Sequence, residues 1–495
     1  MKKFVAAAVV AAAMLVPARA QVPAQDSAAA ALLAKHRAYV GWHLGDGSFR
    51  GMRITGSVSD EKGQQTQRLV LLSDGVLYHD TSTDIARGGL TEHTGFTGRL
   101  FWQSNFNGFT TPIYGEYAKY LASLTMLRQE GTTELGATYV GERTIDGKAA
   151  GVVRVTLTNG DPIDLYIDPA TGAYLQATID PGGSLESTIH VVSYAEVMPG
   201  KKMISAYRIG NDRALYAYDK FEPNVPVTAA DLHPPAAKAS WTFASQPFPV
   251  TLTRNRVLIN ATVNGVAGRF ILDSGASTII LDDQFADRAK APALEGSSEF
   301  FTLYGNVKVH TRRVDSISFG GSTLHNALVA SEDFYSHDYR GLDRAGYDGL
   351  IGYDLFAGAI IKLDVYGSNM TILDPAQDVS ASRGLQVLVD LSHRIPAIPI
   401  TLNGSLPVIA FLDTGNPGVA FLSFDFAKSH DLRIGSPVCG NLESLTIGPI
   451  VYRGQPVCLE SFRADYMLLG YDFLKHFDLV FDYPHGRMFM MPNKN

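Results

Sequence analysis

The sequence predicts a mainly β protein in three parts: an N-terminal antiparallel curved sheet with a helix, then two pseudo-symmetric β lobes. Three observations lead there. Between about residues 50 and 225, runs of strand-forming residues are cut by glycine and Asx turns. Residues 233–249 (HPPAAKASWTFASQPFP) break that pattern with four prolines. Beyond residue 248, one plan of strand, acidic turn and short helix is written twice.

The first residues read as an address. Met1-Lys2-Lys3 is a basic start, Phe4 to Val16 is apolar, and Ala18-Arg19-Ala20 offers a small-x-small cleavage site before Gln21. The apolar run is too short to span a bilayer, so residues 1–20 are expected to be a signal peptide and not an anchor. A periplasmic or secreted protein follows, without stable membrane insertion. The chain of 495 residues is too long for one core and carries a formal charge of −7. Losing Lys2, Lys3 and Arg19 would take that charge to −10. With no basic stripe in the chain, nucleic acid is an unfavourable partner.

In the mature chain, residues 21–235 are expected to form the β-rich N-terminal domain. Ser27 to Tyr39 (SAAAALLAKHRAY) predicts a helix, capped by Ser27 and rich in alanine and leucine. Strands follow, as in residues 151–160 (GVVRVTLTNG) and 163–172 (IDLYIDPATG), where Asn159-Gly160 and Asp168 to Gly172 are hairpin signals. The leading helix and the DPATG hairpin faintly resemble the half-barrels of periplasmic lipoprotein-carrier proteins. Phe101-Trp102 and the aromatics from Phe106 to Tyr114 read as sheet core, with a groove lining as the alternative. Gly45 to Gly51 has the wrong spacing for a dinucleotide loop, and no helical pattern follows it.

Residues 236–247 are read as a linker, 248–378 as lobe one and 390–495 as lobe two. In lobe one, Asn264-Gly265 turns the chain into the strand Phe270-Ile271-Leu272, which ends on Asp273-Ser274-Gly275. Lobe two repeats this with Asn403-Gly404 and Ala410-Phe411-Leu412 ending on Asp413-Thr414-Gly415. A short helix follows each, from Leu281 and from Leu422. Later, Gly349-Leu350-Ile351-Gly352-Tyr353-Asp354 answers Met467-Leu468-Leu469-Gly470-Tyr471-Asp472. An aspartate twelve residues after each second glycine (Asp364, Asp482) and a closing strand complete both copies.

Apolar-Asp-Ser/Thr-Gly followed by apolar-apolar-Gly and a helix resembles the aspartic proteases. The lobe sizes are closer to two fused retropepsin subunits than to pepsin. The resemblance covers about half the chain. It implies that Asp273 and Asp413 are a catalytic pair in one cleft. It further implies that Ser274 and Thr414 bond across the lobe junction and that Gly275 and Gly415 bring amides to the carboxylates. Ser277 would steady the first loop, and a hairpin flap with Tyr304 and Gly305 at its tip would cover the cleft. Only 57 residues separate Asp413 from Gly470, against 79 from Asp273 to Gly352, so a second flap is not expected.

Two carboxyls in contact cannot both ionise, so they share a proton. One then takes a proton from water while the other donates to a carbonyl, which needs neither cofactor nor metal. No HExxH, GxSxG or P-loop competes with this chemistry. The expected activity is aspartic endopeptidase cleavage of a peptide or protein substrate. The alternative is a non-catalytic peptide- or lipoprotein-binding protein on a degenerate protease fold. Lobe two gives that alternative its footing: Asn416-Pro417-Gly418 stands where the motif expects small hydroxyl residues, and Pro417 has no amide to donate. A monomer is expected, or a dimer pairing two Asp273 residues if lobe two is inert. Asp282, Asp283, Asp354 and Asp472 read as helix-start or solvated carboxylates. Cys439 and Cys458, the two cysteines, are a candidate disulfide in an oxidising compartment, with two buried thiols as the alternative.

Overall fold

A computed structural model describes residues 26–493, apart from 44, 61–64, 74–77, 85–87, 129–133, 159, 184–185, 211–213, 254–255, 303–304, 335–345, 381, 383, 435–437 and 462–465. The expected signal peptide, Asn159 of the Asn-Gly hairpin and Tyr304 lie outside the described residues. The fold is mainly β.

Residues 51–223 build one antiparallel sheet of 13 strands in two runs, 51–113 and 134–223. Strand Gly51–Ser59 joins the runs by pairing with Leu215–Pro223. Helix α1 (Ser27–Val40) lies on the sheet, its N-terminus capped by Asp26 rather than Ser27. Its docking explains the DPATG turn. Gly172 has φ +88°, and a Cβ there would stand 2.6 Å from the Lys35 carbonyl oxygen. The turn's carbonyl meets His36 Nδ1 at 2.7 Å.

A second helix, α2 (Gly115–Arg128), is a correction to the single-helix expectation. Leu121 and Leu127 carry it into the same apolar core as Leu33 and Val40 of α1. Phe101, Trp102, Phe106 and Phe109 are all less than 10 % exposed, so the aromatic stretch is core and not an open groove.

The repeat is visible in three sheets. In lobe one, strand Val266–Leu272 runs parallel to Gly349–Ile351 (Leu272 opposite Ile351). In lobe two, Leu406–Asp413 runs parallel to Tyr466–Gly470 (Leu412 opposite Leu469). The feeding hairpins turn through Asn264-Gly265 and Asn403-Gly404, with φ of 49° and 81°, then 47° and 76°. Asn-Gly suits such left-handed pairs. The helices Asp283–Arg288 and Phe424–Ser429 follow. A six-stranded sheet ties the lobes together, its central pairing setting Ile361 of lobe one opposite Phe481 of lobe two. Ser240–Thr242, inside the stretch read as a linker, is an edge strand on lobe one.

Candidate active site

Each acidic residue is delivered by a buried strand. Phe270, Ile271 and Leu272 are at most 2 % exposed, as is Leu412, so the strand ends cannot drift. The Asp273 amide donates to Ile351 O at 3.0 Å, fixing the first strand end. The two ends meet at the lobe junction, where the Asp413 carboxyl lies against Gly275 beside Asp273 and the Asp273 carboxyl against Gly415 beside Asp413.

Four further bonds cross beneath them. The Ser274 amide donates to Thr414 Oγ1 and the Thr414 amide to Ser274 Oγ, both at 3.0 Å. The Ser274 hydroxyl donates to Leu412 O at 2.7 Å, and the Thr414 hydroxyl to Leu272 O at 2.8 Å. Both side chains are essentially buried, so each hydroxyl satisfies two main-chain groups that water cannot reach.

Gly275 and Gly415 are dictated by space. A Cβ on Gly275 would stand 2.4 Å from Asp413 Cγ, and one on Gly415 2.3 Å from Asp273 Cγ. Their amides donate to Asp273 Oδ1 and Asp413 Oδ1, each at 2.9 Å.

Burial pushes both carboxyls above the ordinary carboxylate range. After burial the largest influence on Asp273 is the charge of Asp413, which raises it further. On Asp413 the interaction with Asp273 and the amides of Asn416, Gly415 and Gly275 act against burial. Such a pair holds one proton between two groups and titrates as a unit.

The altered second loop does not starve Asp413. The Asn416 amide donates to Asp413 Oδ1 at 3.1 Å, and Pro417 lies beyond that last donor. Asn416 Oδ1 accepts from the Gly418 amide at 2.8 Å and closes the longer turn. Its carbonyl takes the Tyr471 amide at 2.7 Å, as Ala276 O takes the Tyr353 amide at 2.9 Å in lobe one.

Three expectations are corrected. No hydrogen bond of the Ser277 side chain forms among the described residues; the next hydroxyl, Thr278 Oγ1, points inward and donates to Asp354 Oδ2 at 2.6 Å. Asp354 does stand in the first turn of the helix Tyr353–Gly358, but it is fully buried and not solvated, accepting also the Ile279 amide at 2.8 Å. Gly305 opens the strand Gly305–Phe319 opposite Thr302 of Ser298–Thr302, so it is not the tip of that hairpin. Asp282 does cap its helix, accepting from the Phe285 amide at 3.1 Å, and Asp283 pairs with Arg312 at 3.2 Å. Asp472, partly exposed, pairs with Lys475.

Sequence reasoning missed Tyr483. It is fully buried, its ring 6.2 Å from that of Tyr353, and both carboxyls help burial to raise its hydroxyl pKa. Nothing local marks it, since it is brought there by the sheet between the lobes.

Lobe two has no counterpart of the Ser298–Thr302 hairpin among the described residues. Its strands Cys439–Asn441 and Pro456–Glu460 are instead joined by the Cys439–Cys458 disulfide, with sulfurs 2.08 Å apart. Among the described residues no group of three His, Cys, Asp or Glu side chains could hold a metal ion, and no helix is long and apolar enough to cross a membrane.

Residues 259–355, which span the first acidic loop and the second-motif glycine, match the family described as aspartyl protease. The matched region has a protease-like fold. No curated protein matches the chain. Among solved structures, a DUF1329 family protein from Desulfovibrio piger is similar at 12 % identity, with a TM-score of 0.31. The alignment covers 41 % of this chain and 97 % of that one, a likeness too low to assign a fold or an activity.

Proposed function

We propose that the protein is an exported aspartic endopeptidase, hydrolysing peptide bonds through a water activated by Asp273 and Asp413. The observation that carries this is that each acidic residue's carboxyl lies against the other loop's glycine, with the loops clamped by the reciprocal Ser274–Thr414 bonds. In the free enzyme one carboxyl of the pair is ionised and its partner holds the shared proton. The carboxylate takes a proton from water as the water oxygen attacks the peptide carbon. The protonated partner gives its proton to the carbonyl oxygen, so no free oxyanion forms. Collapse of the resulting diol breaks the C–N bond as the carboxyl that took the water proton passes it to the leaving nitrogen and the other carboxyl takes back one diol hydroxyl proton. The pair ends with one proton between two oxygens, as it began.

One chain supplies both carboxyls, which supports a monomeric catalytic unit. Export rests on residues 1–20, and mass spectrometry of the mature protein would place Gln21 at its N-terminus. A peptide library incubated at acidic to neutral pH tests the activity. Cleavage abolished by Asp273→Asn, by Asp413→Asn and by a statine-type inhibitor supports it. Tight peptide binding without turnover in the wild type would leave the binding-protein alternative.

A further inference from the structure

We propose that the N-terminal domain is a working part of the catalytic apparatus, with Asn105 and Asn107 as positioning residues for the first acidic loop. This rests on the peptidase assignment above.

The segment after strand Phe101–Ser104 leaves the N-terminal sheet and enters lobe one. Asn105, Asn107 and Thr111 are at most 3 % exposed, although they lie about 250 residues before the groups they touch. Asn105 Oδ1 accepts the amides of Asn107 and Phe109, at 3.1 and 3.0 Å, which turns its Nδ2 towards Asp354 Oδ1 at 2.7 Å. Asn107 donates to the same oxygen at 2.9 Å and to Leu328 O at 2.8 Å. Its Oδ1 accepts the Leu328 amide at 2.7 Å. An amide N–H must meet an oxygen, so this side chain has one orientation and its nitrogen faces Asp354.

Asp354 thus receives four donors. Two come from the N-terminal domain on one oxygen, and two from Thr278 and Ile279 on the other. A carboxylate accepting four hydrogen bonds is filled, and it is the ionised form that can accept them all. Thr278 and Ile279 stand on the return arm of the loop that begins at Asp273, five and six residues on. Asp354 is therefore a strut between the N-terminal domain and that loop. A second strut stands beside it, where Thr111 Oγ1 and Tyr353 Oη are 2.8 Å apart. Apolar contact backs both: Phe109 belongs to the core of the lobes, and a Cβ on Gly358 would stand 2.9 Å from its ring.

Lobe two shows that the motif does not need this. At the equivalent position Asp472 is 27 % exposed and pairs with Lys475 of its own helix. The first acidic loop, by contrast, is held by the N-terminal domain through Asp354 as well as by the other lobe. Without the two asparagine donors, Asp354 would be a buried charge with half its hydrogen bonds, which is costly enough to move or protonate it. Thr278 and the Ile279 amide would then lose their acceptor, and Asp273 its fixed approach to Asp413. Small displacements of this kind cost large factors in rate.

The test uses the full chain with Asn107→Asp, which sets an acceptor against Asp354, and the exchanged pair Asn107→Asp with Asp354→Asn, which restores one donor and one acceptor. Asn105→Ala, which removes one donor only, is measured alongside. Peptide turnover and hydrogen exchange of residues 270–281 are both read. Expected for Asn107→Asp and for Asn105→Ala is a fall in kcat of about tenfold or more with KM within about threefold. Exchange should rise in 270–281, and the exchanged pair should recover much of both effects. A folded Asn107→Asp or Asn105→Ala protein with wild-type kcat and wild-type exchange in 270–281 would overturn the proposal. A wild type that cleaves nothing would instead sink the peptidase assignment, and the exchange result would still decide whether the N-terminal domain holds the loop.

Discussion

Ser274 and Thr414 bind each other's main chain in both directions, amide to hydroxyl at 3.0 Å each way, and each hydroxyl also donates to a carbonyl of the opposite strand. Neither lobe can shift without breaking four buried bonds at once. Replacing Ser274 by Ala orphans the Thr414 amide and Leu412 O; Thr414→Val likewise orphans the Ser274 amide and Leu272 O. About 2 kcal/mol of stability should be lost in each case, from the desolvation cost of buried unsatisfied groups. Urea unfolding measures it, and a loss below about 0.5 kcal/mol would mean that water replaces the hydroxyl. Thr414→Ser keeps both bonds and should lose far less.

Gly275 and Gly415 each leave room for the opposite carboxyl. Ala at either position puts a methyl within 2.4 Å of the partner's Cγ, so the pair must separate. Turnover should fall by about a hundredfold or more while the circular dichroism spectrum is retained. Wild-type turnover in Gly275→Ala would show that the carboxyls do not work in contact.

The pair also makes a stability prediction with a definite sign. Both carboxyls are raised in the folded chain, while in the unfolded chain they titrate near ~4. Above ~pH 4 the folded protein keeps protons that the unfolded chain has released. The pair's contribution is therefore full below that pH and lost as pH rises through the raised values. Asp273→Asn removes the conflict, so its Tm should exceed the wild type's at pH 7, with the gap closing towards pH 4. Thermal denaturation from pH 4 to 8 reads this. A variant less stable at pH 7, or a gap that does not change with pH, would contradict it.

The Cys439–Cys458 bond closes a loop with a sequence separation of 19, and Cys439 is exposed to reductant. Its removal by a double Cys→Ser change should cost lobe two about 3 kcal/mol in the chain-entropy account. Calorimetry with and without dithiothreitol checks this. An unchanged Tm would mean that the sheet holds lobe two unaided.

Much of the fold was legible because its signals are local. An apolar run ending on Asp-Ser-Gly, an Asn-Gly pair at a fixed distance, and an apolar-apolar-Gly later on are each a few residues long. Their repetition made the two lobes readable. The unequal second loop was legible too, but not its consequence. Pro417 reads as a lost donor, whereas the donor that matters is the Asn416 amide one residue earlier. Helix α2 was hidden because no side-chain cap marks its start and its buried stripe is thin, with Leu121, Ser123 and Leu127 in sequence context full of strands. The helix-start position of Asp354 was legible, but its burial was not, for a different reason. An acidic residue in the first turn of a helix is normally solvated, and what buries this one arrives from Asn105 and Asn107, far away in the chain. Tyr483 was invisible on the same ground.

The pH–rate profile of kcat/KM for one cleaved peptide tests the shared-proton pair most directly, measured on the wild type and on the Asp273→Asn and Asp413→Asn variants. The account predicts a bell whose alkaline limb lies above the ordinary carboxylate range, and a fall of about a thousandfold or more in each variant. A flat profile, or either variant turning over like the wild type, would contradict it.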